Sequence, residues 1–141
     1  MDIIRITSVN EKLVSQINSL LDSGTVWDLE EGKKFLSNLD NALFLAFWEE
    51  EAAGFLTAHR LQRFDKRKAE VILYEIGVGE NFRQKGIGKA LIEEVEKWAK
   101  EVGADEVWVL TNKSNIAANA MYKSAGGVTE NPDEIMYVFK L

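Results

Sequence analysis

One junction near the middle of the chain constrains the fold more than any other segment. An apolar stretch ends in Tyr74-Glu75-Ile76-Gly77-Val78-Gly79. Three residues separate it from Arg83-Gln84-Lys85-Gly86-Ile87-Gly88-Lys89. From Ile87 onward, apolar residues recur at helical spacing, as at Leu91 and Val95. The pattern therefore predicts a strand, a short loop and a long helix whose first turn contains two glycines.

The chemistry of this junction points to an anionic ligand. Glycines at a helix start let an anion approach the free backbone amides of the first turn. Arg83, Lys85 and Lys89 add three positive charges with no acid among them, which predicts a pyrophosphate site. A P-loop is excluded because Arg83 and Ala90 stand where its first glycine and its Ser or Thr are needed. The dinucleotide-binding motif Gly-x-Gly-x-x-Gly is excluded, because neither Gly77-Val78-Gly79 nor Gly86-Ile87-Gly88 is followed by the third glycine.

The other patterns predict a single α/β domain over residues 1–141, with a mixed sheet and the order βααβββαβαβ. The capping-box form of Ser8-Val9-Asn10-Glu11 predicts the start of the first helix. The predicted elements are a strand at Ile3–Ile6, helices from Ser8 to Gly24 and from about Leu29 to Leu39, strands at Ala42–Trp48, Gly54–Leu61 and Glu70–Val78, the long helix closed by Gly103, a strand at Val107–Leu110, a helix at Asn115–Ala125 and a last strand at Ile135–Phe139.

Two motifs resemble those of the GNAT N-acetyltransferase superfamily. Arg83-x-x-Gly86-x-Gly88 after a strand is similar to the acetyl-CoA pyrophosphate motif of that superfamily. Asn115-Ile116-Ala117-Ala118-Asn119-Ala120-Met121-Tyr122, followed by Gly126, is similar to its Asn-x-x-Ala-x-x-x-Tyr-x-x-x-Gly segment. The resemblance covers nearly the whole chain. It implies the GNAT fold, in which helices cover both faces of a mixed central sheet and the fourth strand is splayed open.

The resemblance also implies acetyl-CoA as cosubstrate and a set of residues that hold it. The Ile76 and Val78 backbone would pair with the pantetheine arm, and Asn115 would hold it unless that residue serves only to start its helix. Gly77 and Gly79 weaken the strand, which suits a bulge that splays it. The full set implied for the cofactor is Ile76, Val78, Arg83, Gln84, Lys85, Gly86, Ile87, Gly88, Lys89, Asn115, Ala118 and Tyr122.

Two residues are implied in catalysis by direct transfer from acetyl-CoA to an amine in a ternary complex. Glu75 is the expected general base, or alternatively a carboxylate that only binds the substrate ammonium. The Val78 amide would stabilise the tetrahedral oxyanion. Tyr122 resembles the general acid that protonates the departing thiolate, and its alternative is a buried aromatic residue. A phenol (pKa ~10) suits this role because a thiol (pKa ~8.5) is more acidic.

Several function classes are excluded by what the chain lacks. It has no cysteine, so a thiol nucleophile and disulfides are impossible, and His59 is its only histidine, so we expect no metal centre. No apolar run is long enough for a membrane span and the first residues do not resemble a signal peptide, so we expect a cytoplasmic protein without a membrane partner. The basic stretch Arg60–Lys68 allows a nucleic-acid surface, but a solvated hairpin loop is the better interpretation, and we expect no nucleic-acid partner.

The charge distribution bears on the acceptor. Residues 1–51 hold ten acidic and four basic residues, whereas the remainder holds thirteen of each, so the net charge of -6 arises in the first third. Its acids include Asp22, Asp28, Glu30 and Glu31, which cluster about the first two helices. In this superfamily the acceptor binds there, so a cationic amine would be attracted, although a solvated helix face explains the acids equally well. Trp27 is a further candidate substrate contact, with Asp28, Glu31 and Glu75.

The segments Ala58–Phe64 and Glu70–Val78 look most like the gentamicin-type aminoglycoside 3-N-acetyltransferases. That subfamily has Asp in place of Glu75, and an acid where the predicted last strand has Val138-Phe139. We therefore expect a small cationic acceptor, such as an aminoglycoside or polyamine, with a homodimer possible. The alternatives are acetylation of a protein N-terminus or lysine, a catalytically silent acyl-CoA-binding module, and a nucleic-acid-binding accessory protein.

Overall fold

The computed structural model describes residues 1–21, 24 and 26–141. Nine helices and strands are defined there, together with a short 3₁₀ turn at Glu80–Phe82. They are β1 (Asp2–Ile6), α1 (Glu11–Asn18), α2 (Leu29–Ser37), β2 (Asn41–Trp48), β3 (Glu51–Leu61), β4 (Ala69–Val78), α3 (Ile87–Glu101), β5 (Ala104–Trp108) and α4 (Ile116–Ser124). The predicted α/β class with a mixed sheet is confirmed.

The sheet has the strand order β1-β2-β3-β4-β5. Neighbours from β1 to β4 pair antiparallel, and β5 pairs parallel to β4. Antiparallel neighbours need only short turns, whereas the parallel β4–β5 pair requires a crossover, which α3 provides. The meander and the long helix were both predicted from the sequence.

Helices cover both faces of the sheet, as expected. Leu91, Val95 and Trp98 of α3 pack on one face against a buried cluster that includes Phe44 and Leu56. On the other face, α1 and α2 cover a second cluster formed by Ile17, Leu43, Leu45 and Phe55. Burial of these side chains is the main favourable contribution to the stability of the fold.

The start and end of α1 differ from the prediction. The N-cap residue is Asn10, whose Oδ1 accepts from the Leu13 N–H at 2.9 Å, so the predicted capping box of Ser8 and Glu11 is wrong. Asn is among the strongest N-caps, and Asn10 directly precedes Glu11, the first residue of the helix. The helix also ends at Asn18 instead of continuing to Gly24. There the Asn18 side chain bonds both the N–H and the carbonyl of Trp27, at 2.8 and 2.7 Å, which ties the end of α1 to the start of α2.

The predicted last strand at Ile135–Phe139 is also wrong. Residues 128–141 form no strand or helix, and every one of them is exposed. An apolar, β-branched run has the local preference of a strand, but a strand exists only where a partner edge pairs with it. Within the described residues, no partner edge meets this segment.

Candidate active site

The site is built on the second half of β4, which has an open edge. Pairing with β5 ends at Ile72↔Trp108, so within the described residues the next six residues of β4 have no neighbouring strand on that side. On the other side, the Gly79 N–H donates to the Ala53 carbonyl of β3 at 2.9 Å. Because backbone groups alternate along a strand, those of Ile76 and Val78 point away from β3, into the open gap. The splayed fourth strand is thereby confirmed.

An ion-pair network holds the two strands together where they still pair. Arg63 bonds Glu70 of β4 and lies 3.2 Å from an Asp105 carboxylate oxygen of β5. The Trp108 indole N–H donates to the same Glu70 at 3.2 Å. The strands are therefore fixed at the beginning of β4 and diverge beyond Ile72.

A bulge in β4 orients the candidate base. Opposite β3, Thr57 pairs with Glu75 and Ala58 pairs with Leu73, so Tyr74 is an extra residue. Leu73 is buried on the α3 face, whereas Glu75 is exposed and its Oε2 accepts from the Thr57 hydroxyl at 3.0 Å. A bulge re-aims side chains in this way, and here it places Tyr74 and Glu75 on the face that α1 and α2 cover.

Gly77 near the end of β4 and Gly79 directly after it do not form the bulge, contrary to the prediction. The bulge lies at Tyr74, not at Gly77 or Gly79. A Cβ on Gly77 would lie 2.5 Å from Cε1 of the Phe55 ring, a separation at which one of the two must move. Gly77 is therefore required by the packing of Phe55. The gap beside the second half of β4 arises because β5 ends at Trp108, opposite Ile72.

The first turn of α3 offers unpaired backbone donors beside this gap. The first helical bond runs from the Ala90 N–H to the Gly86 carbonyl, so Ile87, Gly88 and Lys89 have amides without a helical acceptor. Gly86 has a left-handed φ of 80°, and a Cβ there would meet nothing within 4 Å. Gln84 is also left-handed, at φ 61°. Such backbone geometry is uncommon for a residue other than glycine and clusters at ligand-binding loops.

The three predicted cations divide into two groups. Arg83 and Lys89 are exposed, and in the described part of the chain neither forms an ion pair. The Lys85 ammonium instead lies 4.9 Å from the centroid of the Trp48 ring and 5.4 Å from that of Phe82. Lys85 therefore lies against aromatic faces, whereas Arg83 and Lys89 have neither an aromatic nor a carboxylate partner in the described part of the chain.

Helix α4 packs on the first turn of α3 and carries the predicted Tyr122. A Cβ on Gly88 would lie 2.1 Å from the Met121 sulfur, so only glycine allows this approach as it stands. Tyr122 is partly buried against the hydrophobic cluster under α3, and this burial raises the pKa of its phenol. Asn115 caps α4, its Oδ1 accepting from the Ala118 N–H at 3.1 Å. The side-chain nitrogen of Asn115 remains as a donor.

The predicted acceptor residues are placed on and around α2. Trp27 packs its ring on Gly32 and is bound to Asn18, so it is part of the α1–α2 packing. Asp28 caps α2 by accepting from the Glu31 N–H at 2.8 Å. Glu30 and Glu31 lie exposed in its first turn, where acids favour the helix dipole. Asp22, the other member of the predicted acidic cluster, lies outside the described residues.

The sequence analysis did not predict the row of stacked rings formed by Phe35, His59 and Tyr74 next to Glu75. His59 packs edge-on against Phe35 of α2 and Tyr74 of β4, with ring centroids 5.6 and 5.5 Å apart. Its Nδ1 lies 2.8 Å from the Asn41 side-chain oxygen, which fixes the ring. The sequence predicted that His59 lies on a strand. It did not predict the bulge in β4 that brings Tyr74 next to His59.

Comparison with known families decides the assignment. Residues 13–126 match the model of the acetyltransferase (GNAT) family. The chain belongs to this family. A relative, the [ribosomal protein bS18]-alanine N-acetyltransferase of Escherichia coli (strain K12), is 33% identical over 57 residues, which are 40% of this chain and 38% of that protein. The chain spans about two fifths of the length of the curated relatives it matches.

Solved structures of aminoglycoside acetyltransferases share the fold over almost the entire chain. One, from an uncultured soil metagenomic sample and in complex with sisomicin, has a TM-score of 0.83 and 25% identity, covering 99% of this chain and 96% of that one. Another, AAC(6')-Iy with the bisubstrate analogue CoA-S-monomethyl-acetylneamine, has a TM-score of 0.81 and 25% identity, covering 99% and 97%. The second is a 6'-type enzyme, so the specific likeness to 3-N enzymes is replaced by a likeness to aminoglycoside acetyltransferases that include the 6' type.

The charges of the basic stretch Arg60–Lys68 bear on the alternative of a nucleic-acid-binding protein. In the basic stretch Arg60–Lys68, which begins in the last residues of β3, Arg60, Arg63 and Arg67 all pair with carboxylates, which leaves less free charge for a polyanion. Within the described residues, no helix is long and apolar enough to cross a membrane, and no group of three acidic or histidine side chains is arranged to hold a metal.

Proposed function

We propose that this protein is an acetyl-CoA-dependent N-acetyltransferase that moves an acetyl group to the primary amine of a small cationic acceptor. One observation carries the proposal: the open edge of β4 at Ile76 and Val78 lies on the same strand as the exposed Glu75. The first turn of α3, with its free amides, follows that strand after a short loop. A thioester in this gap would have a carboxylate near its reacting carbon and amides near its phosphates.

The described residues fit the CoA portion of the cosubstrate. The pyrophosphate would bind the amides of Ile87, Gly88 and Lys89, with Arg83 and the Lys89 side chain as cations. The open space at Gly86 permits close approach of a phosphate to the backbone. The pantetheine amides would pair with the backbone of Ile76 and Val78 as an added strand does. The Asn115 side-chain nitrogen provides a further donor at the start of α4.

Acetyl transfer would need three tasks from the protein. Glu75 would take a proton from the acceptor ammonium, so that a neutral amine attacks the thioester carbon and forms the C–N bond. The Val78 N–H would donate to the oxyanion until the C–S bond breaks. Tyr122 would then give its proton to the leaving thiolate and regain one from the nitrogen of the collapsing intermediate, which leaves a neutral amide. Because burial raises the pKa of Tyr122, the phenol stays protonated in the working pH range.

The acceptor is proposed to be cationic because of the charges on the α2 side of the sheet. Asp28, Glu30, Glu31 and Glu75 are exposed, and none of them forms an ion pair in the part of the chain that is described. Aminoglycosides carry several amines, and uncompensated carboxylates would attract them. The similar structures with sisomicin and an acetylneamine analogue support the same class.

A screen of CoA thiol release tests both halves of the proposal. Acetyl-CoA would be combined with sisomicin-, kanamycin- and gentamicin-type aminoglycosides, with spermidine, and with short peptides that begin with alanine. We expect turnover with at least one aminoglycoside or polyamine. Turnover with peptides alone would make the protein-acetyltransferase alternative correct. Binding of acetyl-CoA without turnover of any amine would identify a silent acyl-CoA-binding module.

A further inference from the structure

The segment 84–86, between the 3₁₀ turn at Glu80–Phe82 and α3, has a strained backbone. Gln84 at φ 61° and Gly86 at φ 80° are both left-handed, and Lys85 stands between them. A left-handed glutamine is less favourable than a right-handed one and persists only where the surrounding structure holds it. In the described part of the chain, no backbone hydrogen bond joins Gln84 or Lys85 to another helix or strand. The conformation of this segment therefore needs a side chain to hold it.

The Lys85 side chain provides such a link, because it reaches β2. Its ammonium lies 4.9 Å from the ring centroid of Trp48, the last residue of β2, and 5.4 Å from that of Phe82. Both distances are within the ~6 Å range of cation–π attraction, for which tryptophan is the strongest partner. Strand β3 lies between β2 and β4 in the sheet. Lys85 thus ties the loop that follows β4 to a strand that is not a neighbour of β4.

The positions of the two rings are set by the core. Trp48 and Phe82 are partly buried against the hydrophobic cluster under α3. The Phe82 N–H donates to the Gly79 carbonyl at 2.9 Å, and a Cβ on Gly79 would lie 3.2 Å from Cδ2 of the Phe82 ring. Gly79 is in turn bonded to Ala53 of β3. The Lys85 ammonium therefore rests on side chains that are packed in place.

Lys85 contacts these rings although acidic residues follow Trp48 directly. Residues 49–51 are all glutamate, yet Lys85 forms no ion pair with any residue that the structure describes. Arg83 and Lys89, on either side of it, have neither an aromatic nor a carboxylate partner among those residues. The three cations of the junction therefore differ in role, and Lys85 is the one already engaged by the protein.

We propose that Lys85 is a positioning residue of the cofactor site: its contact with Trp48 and Phe82, the Lys85 clamp, holds the segment 84–86 in its left-handed conformation, and its ammonium does not bind the phosphates. This inference rests on the proposed acetyl-CoA site. It assigns to Lys85 a role different from the direct contact that the sequence motif implies.

The clamp acts on the pyrophosphate site through the start of α3. Gly86 is the N-cap residue of that helix, so the path of the chain through Gln84 and Gly86 sets the direction from which the amides of the first turn are reached. Without the clamp, Gln84 is free to leave its left-handed conformation. Binding of a pyrophosphate would then have to order the segment again, and this ordering lowers the affinity.

A double-mutant cycle, measured by calorimetric titration of acetyl-CoA into the full-length protein, tests the clamp. Lys85→Met and Trp48→Leu should each weaken the affinity by about fivefold, and the double variant should bind no more weakly than Lys85→Met alone. Lys85→Arg should retain the parent affinity, because a guanidinium also binds aromatic faces. Phe82→Leu gives a second cycle that leaves β2 intact.

Two outcomes of the cycle would overturn the proposal. Loss of affinity in Lys85→Met but not in Trp48→Leu or Phe82→Leu would show that the ammonium binds the phosphates directly. Additive losses in the double variants would show that the rings act through packing and not through Lys85. Lys66→Met is the control for net charge, since Lys66 is exposed in the loop before β4, at the opposite end of that strand from the junction. Its affinity should equal that of the parent.

Nitrogen-15 relaxation of the full-length protein without acetyl-CoA gives an independent test. The backbone order parameters of Gln84 and Lys85 should be about 0.85 in the parent and in Lys85→Arg, and below about 0.6 in Lys85→Met and Trp48→Leu. A mobile segment in the parent, or equal order in all four proteins, would overturn the clamp. A parent that binds no acetyl-CoA would refute the proposed function, whereas the order parameters would still decide whether Lys85 holds the segment.

Discussion

Glu75 owes its position to one extra residue in β4. The bulge at Tyr74 places the carboxylate on the exposed face, and the Thr57 hydroxyl fixes it at 3.0 Å. The sequence motif predicted a functional acid at this position. It did not predict the bulge or Thr57, because a bulge depends on the register between two strands, which no local pattern records.

Replacement of Glu75 by Gln tests its role as a base. The amide keeps the shape of the side chain but does not accept a proton, so we expect kcat to fall by about 100-fold or more. Thr57→Val is the control, since it removes the hydrogen bond but keeps the carboxylate, and it should reduce kcat by no more than about tenfold. An unchanged kcat in the Glu75→Gln variant would assign the carboxylate to substrate binding alone.

Tyr122→Phe tests the proton donor. The ring is retained and the hydroxyl is lost, so kcat should fall by at least about tenfold while KM for acetyl-CoA changes little. Burial raises the pKa of Tyr122, so the parent should lose activity from deprotonation of this group only above pH ~10. Steady-state thiol release at several pH values measures both effects. An unchanged kcat would show that Tyr122 is a packing residue.

At the scale of elements, the gap in the sheet depends on where β5 ends and on how β4 packs. The meander, the long helix α3 and the α4 segment were predictable, because each has a strong local period or a motif. The strand predicted at Ile135–Phe139 was wrong, because the composition of this segment gives only a local preference, and a strand also needs a neighbouring strand to pair with. The sequence analysis predicted that Gly77 weakens the strand. The reason that only glycine fits at this position is the contact with Phe55, which is remote in sequence.

Gly77→Ala tests this packing requirement. The new methyl group would meet the Phe55 ring, 2.5 Å away at its nearest atom, so we expect a loss of about 1–3 kcal/mol in the free energy of unfolding, measured with urea. Gly79→Ala should cost less, because its nearest neighbour, Cδ2 of Phe82, lies at 3.2 Å. Adding Phe55→Leu to Gly77→Ala should recover part of the loss. Equal costs for the two glycines would contradict the assignment.

At the scale of the molecule, charge is divided between two regions. The acidic first third includes the exposed carboxylates of α2. The junction between β4 and α3 holds Arg83 and Lys89, which form no ion pair with any residue that the structure describes. Sequence counts predicted this division, but only the structure shows that Asp28 is also a helix cap and that Lys85 is held by aromatic rings. The anion-binding part of the division therefore rests on Arg83, Lys89 and the backbone amides of the first turn of α3.

Calorimetric titration of acetyl-CoA into the full-length protein tests the central claim most directly. We predict saturable binding at one site per chain. Arg83→Ala should weaken the affinity by about tenfold or more, because a charge-assisted contact to phosphate contributes about 1.5–3 kcal/mol. Arg67→Ala, which removes an exposed arginine already paired with Asp65, should leave the affinity unchanged. No heat of binding at high-micromolar acetyl-CoA would contradict the account.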